Sequence, residues 1–289
     1  MNKFSPILLG LSLAVAGSSM AAAQDQMAPT VSAPKYLQII VEYTKPGKGG
    51  AAHDKTESAF VQTMIKAKFP IHYVAFNALS GKGRAIYLSK FDSFDEMQKA
   101  NKILESPAIA AEMERANVAD GELLDDSKQL ILSYVPDLSY KSRADISHGR
   151  FLEARILHIR PGHGKDFNDL VKMWMAAADK AGVSDHWGAY RVEYGEQVGS
   201  FIFLTSDNSL ADIDKSNAEE SKFNAVLSES DKVRMRELRE AAIDTDRFEL
   251  YSVNPAQSYV GDDFTKADPD FWKPKAAEAP ATEPKKHKN

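Results

Sequence analysis

The chain has 289 residues, with 36 lysines and arginines against 41 aspartates and glutamates, and no cysteine. Its mildly acidic balance gives no electrostatic footing for nucleic acid or an anionic membrane. The lack of cysteine excludes disulfides, thiolate chemistry and Cys-based zinc sites, and the length suggests about two domains of roughly 100 to 150 residues.

In chain order, the first segment carries one lysine, Lys3, then an apolar run from Ile7 to Ala16, then small residues ending in Ala21, Ala22 and Ala23. This is the order of a secretory signal peptide, too short for a permanent span, and cleavage is expected after Ala23. Removing Lys3 with it leaves 35 basic against 41 acidic residues. No later segment is long and apolar enough to stop transfer, so the mature chain is expected to be an exported, soluble protein. The lack of any Asn-x-Ser/Thr acceptor fits bacterial export, and periplasm is expected ahead of the external medium. Residues 24–35 read as a leader.

Residues 36–136 and 151–253 are two copies of one pattern. "YLQIIVEYTKPGKG" from Tyr36 lies over "FLEARILHIRPGHG" from Phe151 without a gap. After one residue of slippage, "IHYVAFNALSG" from Ile71 lies over "DHWGAYRVEYG" from Asp185, and "RAIYLSKFDSFDEM" over "SFIFLTSDNSLADI". Glu105 and Ser106 fall on Glu220 and Ser221, and "QLILSYV" and "RFELYSV" close the halves. Each half reads as a β-rich strand, a Pro-Gly turn, a helix, two strands joined by a glycine-bearing turn, a second helix and a last strand. Ser93 with Glu96 and Ser209 with Asp212 mark the second helix as capping boxes. The order βαββαβ, twice, predicts an α+β fold of two tandem ferredoxin-like units. Each leaves an apolar sheet face, which the other covers in an intramolecular pseudo-dimer.

The predicted layout is residues 36–136 for the first unit, 137–150 for a connector, 151–253 for the second unit, and 254–289 for an extension with a disordered tail. The strand followed by [Lys/Arg]-Pro-Gly-x-Gly, then "SKFDSFDEM" or "TSDNSLADI" and "ESP" or "ESK", resembles the dimeric α+β barrel superfamily, with antibiotic-biosynthesis-monooxygenase-like and NIPSNAP-like domains among its members. The resemblance implies a barrel made by the two units. Its members span cofactor-free oxygenases, haem-handling enzymes, isomerases, ligand domains and proteins without known activity, so it does not select a function.

The candidate pocket residues are His72, Phe76, Glu153, Arg155, His186, Trp187 and Tyr190. His72 and His186 occupy the same repeat position, each within His-aromatic-x-Ala-aromatic. Strand alternation puts His72 with Phe76 and His186 with Tyr190, while Tyr73 and Trp187 face the other way. Either these histidines bond backbone at strand ends or they line a pocket as base or axial ligand. Glu153 and Arg155 share a face of a central strand, where charge is costly unless paired. The first half carries Gln38 and Ile40 there, so the pair belongs either to a site kept in one half or to structural ion pairs. The stretch around His158 and His163 reads as a turn, since the other half replaces both histidines. Trp174 reads as core, with Met173 and Met175 at its edge.

There is no nucleophile elbow, P-loop, dinucleotide fingerprint or His-Glu-x-x-His, and the seven histidines are too scattered for a metal motif. No motif indicates haem, although the resemblance allows it. Two functions stand: binding of a small, largely apolar molecule or a protein partner, or a cofactor-free or haem-dependent monooxygenase-like enzyme.

Overall fold

The computed structural model describes residues 33–273 apart from 144; the expected signal peptide, most of the leader and the charged tail lie outside the described residues. The first unit contains β1 (Tyr36–Thr44), α1 (Ala51–Ala67), β2 (Tyr73–Ala78), β3 (Arg84–Phe91), α2 (Phe94–Leu104), α3 (Pro107–Gly121) and β4 (Leu124–Tyr134). The second repeats it with β5 (Phe151–Ile159), α4 (Gly164–Ala181), β6 (Gly188–Tyr194), β7 (Ser200–Asp207), α5 (Leu210–Val226), α6 (Glu229–Ala242) and β8 (Ile243–Val253).

The Pro-Gly turns are turns: the Lys48 amide donates to the Lys45 carbonyl at 2.9 Å, and the His163 amide to that of Arg160 at 3.1 Å. Gly47 and Gly162 supply the positive φ these turns need, at 76° and 88°. Alternation along the strands sends Leu37, Ile39 and Val41 of β1, and Leu152 and Ala154 of β5, into the sheet's inner face.

The second helix of each unit is two helices, so the unit is βαββααβ rather than βαββαβ. In the first unit Pro107 at the start of α3 cannot continue α2, and in the second Ser228 caps a new helix by accepting the Asp231 amide. Ser106 and Ser228 are therefore the matching caps; Ser221, its partner by sequence, lies inside α5.

The eight strands close in the order β1, β3, β2, β8, β5, β7, β6, β4, antiparallel throughout. Each unit contributes four neighbouring strands, and its β2 or β6 edge pairs with the last strand of the other. Closure removes the exposed edges that either sheet would have alone. The interior is packed with Leu37, Ile39, Phe76, Leu132, Leu152, Tyr190 and Tyr251. Helices α1 to α6 cover the outside.

After the last strand of each unit comes a further repeat, "VPDLSY" and "NPAQSY", and it is exchanged between units. The 3₁₀ turn Pro136–Leu138 runs over the second unit, where Tyr140 bridges Trp187 and Ser139 Oγ accepts the Ala189 amide at 2.9 Å. Its counterpart Pro255–Gln257 runs over the first, where Tyr259 bridges Tyr73 and Ser258 Oγ accepts the Ala75 amide at 2.9 Å. Two short helices follow, α7 (Asp262–Ala267) and α8 (Pro269–Trp272), and the Trp272 indole joins the barrel core while donating to the Ser147 carbonyl at 2.7 Å. Among the described residues no helix is long and apolar enough to cross a membrane.

Candidate functional site

Between sheet and helices the two units differ. In the second, a cavity of about 420 Å³ opens between β5 and β7 on one side and α4 and α5 on the other. Its apolar walls are Trp174, Trp187, Phe203, Phe223 and Phe248, and its acidic groups are Glu153, Asp185, Glu219 and Glu220. The Trp187 indole is fixed by donating to the Leu138 carbonyl at 2.8 Å, so the exchanged turn positions one wall. Asp185 accepts from Ser216 at 2.7 Å, and Glu219 accepts from the Ser184 amide and hydroxyl at 2.7 and 2.8 Å. Those two Ser184 bonds, with Lys222, hold Glu219 down to about 2, so it is ionised at neutral pH.

Among the described residues Arg155 is the one cation lining the cavity wall, and it is already paired. Its Nε and Nη2 donate to the two carboxylate oxygens of Asp246 on β8 at 2.9 and 2.8 Å, a bidentate pair. Burial pushes the Asp246 carboxyl up, but Arg155 and Arg239 outweigh that and hold it below its ordinary value. The guanidinium lies over Trp174 at 4.7 Å and Phe248 at 4.8 Å. Among the described residues Glu153 has no cationic partner and lies beside the carboxyl of Asp207. Burial, then the carboxylates of Asp207 and Asp185, push its pKa up. The cavity is therefore aromatic with an acidic balance.

In the first unit the corresponding space is filled by Met64, Phe69, Phe91 and Ala100, with Met97 and Leu104 packed against them. Its unusual chemistry lies deeper, where β1, α1 and α3 meet. Glu42 points outward from β1, His53 and Glu57 stand one turn apart on α1, and Asp120 ends α3. His53, Glu57 and Asp120 are only 2, 3 and 3 % exposed. His53 Nε2 lies 3.3 Å from Glu42 Oε2, 3.4 Å from Asp120 Oδ1 and 3.9 Å from Glu57 Oε1. Thr56 donates to Asp120 Oδ1 at 2.6 Å. Burial, then Glu42 and Asp120, push the Glu57 carboxyl up to about 9, against an opposing effect of the Tyr87 hydroxyl. Burial also raises Asp120, against the Thr56 bond. Gln257, from the turn exchanged out of the second unit, reaches His53 Nδ1 at 3.4 Å and donates to Asp54 Oδ1 at 3.0 Å.

At the matching places the described residues of the second unit are apolar. The left-handed C-caps Lys68 and Gly182 align α1 with α4, which puts Phe167 and Val171 at the places of His53 and Glu57. Leu157 stands on β5 where Glu42 stands on β1, and Leu238 and Ala242 close α6; all five are buried. Leu138 of the other exchanged turn sits where Gln257 does, in the same apolar cluster.

Of the residues singled out from sequence, the cavity brings together Glu153, Arg155 and Trp187. Trp174, expected in the core, packs against it but also lines the cavity. Phe76 and Tyr190 point into the packed barrel interior. His72 is exposed and stacks on Tyr259 at 4.7 Å, and burial on that side lowers its pKa. His186 bonds the Ser206 carbonyl through Nε2 at 3.1 Å and does not line the cavity. The two histidines sit outside both sites. Sequence reasoning missed the cluster because its four donors lie on three elements and form no contiguous motif. The one signal was the repeat itself, which sets His53 and Glu57 against Phe167 and Val171.

The sequence matches no protein-family model and no curated protein. Among solved structures, a candidate monooxygenase from Fusobacterium nucleatum is similar over 76 % of this chain and 93 % of its own, at 9 % identity and a TM-score of 0.50. A mutant chlorite dismutase from Candidatus Nitrospira defluvii is similar over 79 and 94 %, at 8 % identity and 0.48, and a candidate monooxygenase from Lactobacillus acidophilus over 76 and 94 %, at 8 % and 0.47. The fold is that of the dimeric α+β barrels. At such identities the likeness extends to the fold alone, and the NIPSNAP-like part of the resemblance rests on sequence only. Haem, which the resemblance allows, does not fit the cavity: no histidine, methionine or tyrosine among the described residues lines it, so it offers the iron none of its usual axial ligands.

Proposed function

We propose that this tandem α+β barrel is an exported binding protein whose second unit holds a small, largely apolar molecule bearing a cationic group. The observation that carries this reading is the pairing of an aromatic wall with an unbalanced set of carboxylates. Trp174, Trp187, Phe203 and Phe223 offer apolar area and ring faces, and Glu153, Asp185 and Glu220 add carboxyl groups beside Glu219, which Lys222 already pairs. Arg155, the only cation lining the wall among the described residues, is taken up by Asp246. Ring faces and carboxylates together favour an ammonium over a carboxylate or phosphate. About 420 Å³ suits a molecule of drug size or smaller.

The test is tryptophan fluorescence of the purified chain titrated with a panel of aromatic and alkyl amines beside their carboxylic-acid counterparts. Saturable quenching by amines that is lost in Trp187→Ala supports the reading. Equal response to the acids, or none to either, rejects it.

A second reading, a cofactor-free monooxygenase-like enzyme, draws on Glu153. A carboxyl with a raised pKa in a cavity wall can take a proton from a bound substrate. Oxygen uptake with a bound phenolic substrate, abolished in Glu153→Gln, would favour it over binding alone.

A further inference from the structure

We propose that Glu42, His53, Glu57 and Asp120 form a binding site for one first-row divalent cation such as Mn²⁺, Fe²⁺ or Zn²⁺, built into the first unit only. The inference is independent of the ligand reading for the second unit.

One donor atom from each of the four residues lies within 4.8 Å of the others, which is the spacing of ligands around a common centre. Three carboxylates and one imidazole are the hard and borderline donors that such ions take, and the imidazole disfavours Ca²⁺ and Mg²⁺. Taken alone, a group of acids would be weak evidence. Here two buried polar atoms, Glu57 Oε1 and the Tyr87 hydroxyl, also have no hydrogen-bond partner outside the cluster and act only on each other and on its members. Tyr87 is 5 % exposed, and its hydroxyl is close enough to Glu57, Glu42 and Asp120 for all three to act on it. Unmet buried polar atoms in a native structure call for an explanation, and an ion at the centre of the donors supplies one.

The second unit shows that the fold does not require these groups. At the same four places it carries Leu157, Phe167, Val171 and Ala242, all buried. Burying the carboxyl groups of Glu57 and Asp120 beside the half-buried Glu42 is costly unless they are protonated or meet a counter-charge, and the second unit shows that an apolar set fits the same backbone. The exchanged turns follow the same division, Leu138 over the apolar set and Gln257 over the polar one.

Gln257 also suits the outer shell of a metal site. It meets His53 Nδ1, the ring nitrogen that faces away from the carboxylates. The amide nitrogen that makes this contact also donates to Asp54 Oδ1 at 3.0 Å, so Gln257 is held against the back of the ring while Nε2 faces the carboxylates.

The test uses the full mature chain stripped with chelator and dialysed, then titrated calorimetrically with Mn²⁺ and with Zn²⁺. One ion per chain is expected, weakened about a hundredfold or more in His53→Gln and in Glu57→Gln, and about tenfold in Gln257→Leu. Because single changes in a buried cluster can impair folding, a second variant carries E42L, H53F, E57V, D120A and Q257L together, giving the first unit the apolar set of the second. It should fold and bind no ion at the site. Mn²⁺ electron paramagnetic resonance reads the site directly, through a nitrogen coupling present in the parent and absent in His53→Gln. No binding at millimolar metal, or equal binding by the folded five-residue variant, would overturn the proposal.

Discussion

The two units of this barrel share a backbone plan and differ in what they place between helices and sheet. The first fills the outer part of that layer with Met64, Phe69 and Phe91 and puts Glu42, His53, Glu57 and Asp120 at its deep end. The second fills the deep end with Leu157, Phe167 and Val171 and leaves the outer part open as an aromatic cavity. Either arrangement satisfies the sheet. The difference teaches that a duplicated unit has two separable positions for chemistry, and that each copy here has kept a different one.

The largest effect should come from breaking this division in the second unit. Val171→Glu puts a carboxylate at the place of Glu57 with no imidazole or neighbouring donor, and an uncompensated buried charge costs about 3–5 kcal/mol. Urea unfolding should show the midpoint falling accordingly. A small change would mean that water reaches the deep end of the layer and that the burial of the first-unit cluster is less consequential.

The converse change should stabilise. In the metal-free chain, the five-residue apolar set grafted into the first unit replaces a buried ionic group with packed side chains, which is worth roughly 1–4 kcal/mol in comparable replacements. Equilibrium unfolding with chelator present checks the sign. A large loss instead would mean that the cluster braces α1 and α3 without any ion.

A smaller effect is expected at the exchanged turn. Trp187→Phe keeps an aromatic wall but loses the bond to the Leu138 carbonyl, costing about 1 kcal/mol. Ligand binding should weaken more than stability does, because the wall loses its fixed orientation.

Glu153 should give the most subtle signal, through pH. Its pKa is raised in the folded chain. As pH climbs above the ordinary carboxylate value the unfolded chain ionises first, so folded stability is lost as pH rises toward and through the folded value. Glu153→Gln removes that loss. Its melting temperature should match the parent at about pH 3, below the ordinary carboxylate value, where the carboxyl is protonated folded and unfolded, and exceed it increasingly toward neutral pH. The same variant should bind amines less well, a trade of function against stability.

The fold was legible because it is local and doubled. Strand alternation, the Pro-Gly turns and the gapless match of Tyr36 with Phe151 specify each unit, and two apolar sheet faces in one chain specify closure. The break between α2 and α3 was legible in principle at Pro107, but the similarity of "ESP" to "ESK" hid the second break at Ser228. The candidate site was legible only where chemistry stood out on a single strand. Glu153 and Arg155 are conspicuous on β5, and Trp187 stands at the start of β6, so alternation could place them. His72 and His186 attracted interest as a repeated pair, yet each makes a different local contact ahead of its strand, His72 stacking on Tyr259 and His186 bonding the Ser206 carbonyl. The cluster lay in differences between the copies, and its assembly from β1, α1, α3 and a turn more than a hundred residues later needs tertiary structure. The "VPDLSY" and "NPAQSY" repeat that completes both sites was within reach of sequence comparison once the last strands are shifted by one residue, so that Ser133 matches Ser252 as their pairing with β1 and β5 requires.

The measurement that tests the division of roles most directly is native mass spectrometry of the chain isolated from its own compartment, beside a Ser216→Trp variant that fills the cavity from α5. The account predicts that the parent carries the mass of a small organic molecule, lost on denaturation, and that the variant folds without it. Equal masses for parent and variant, both bare or both loaded, would contradict the assignment of the second unit as the one that binds.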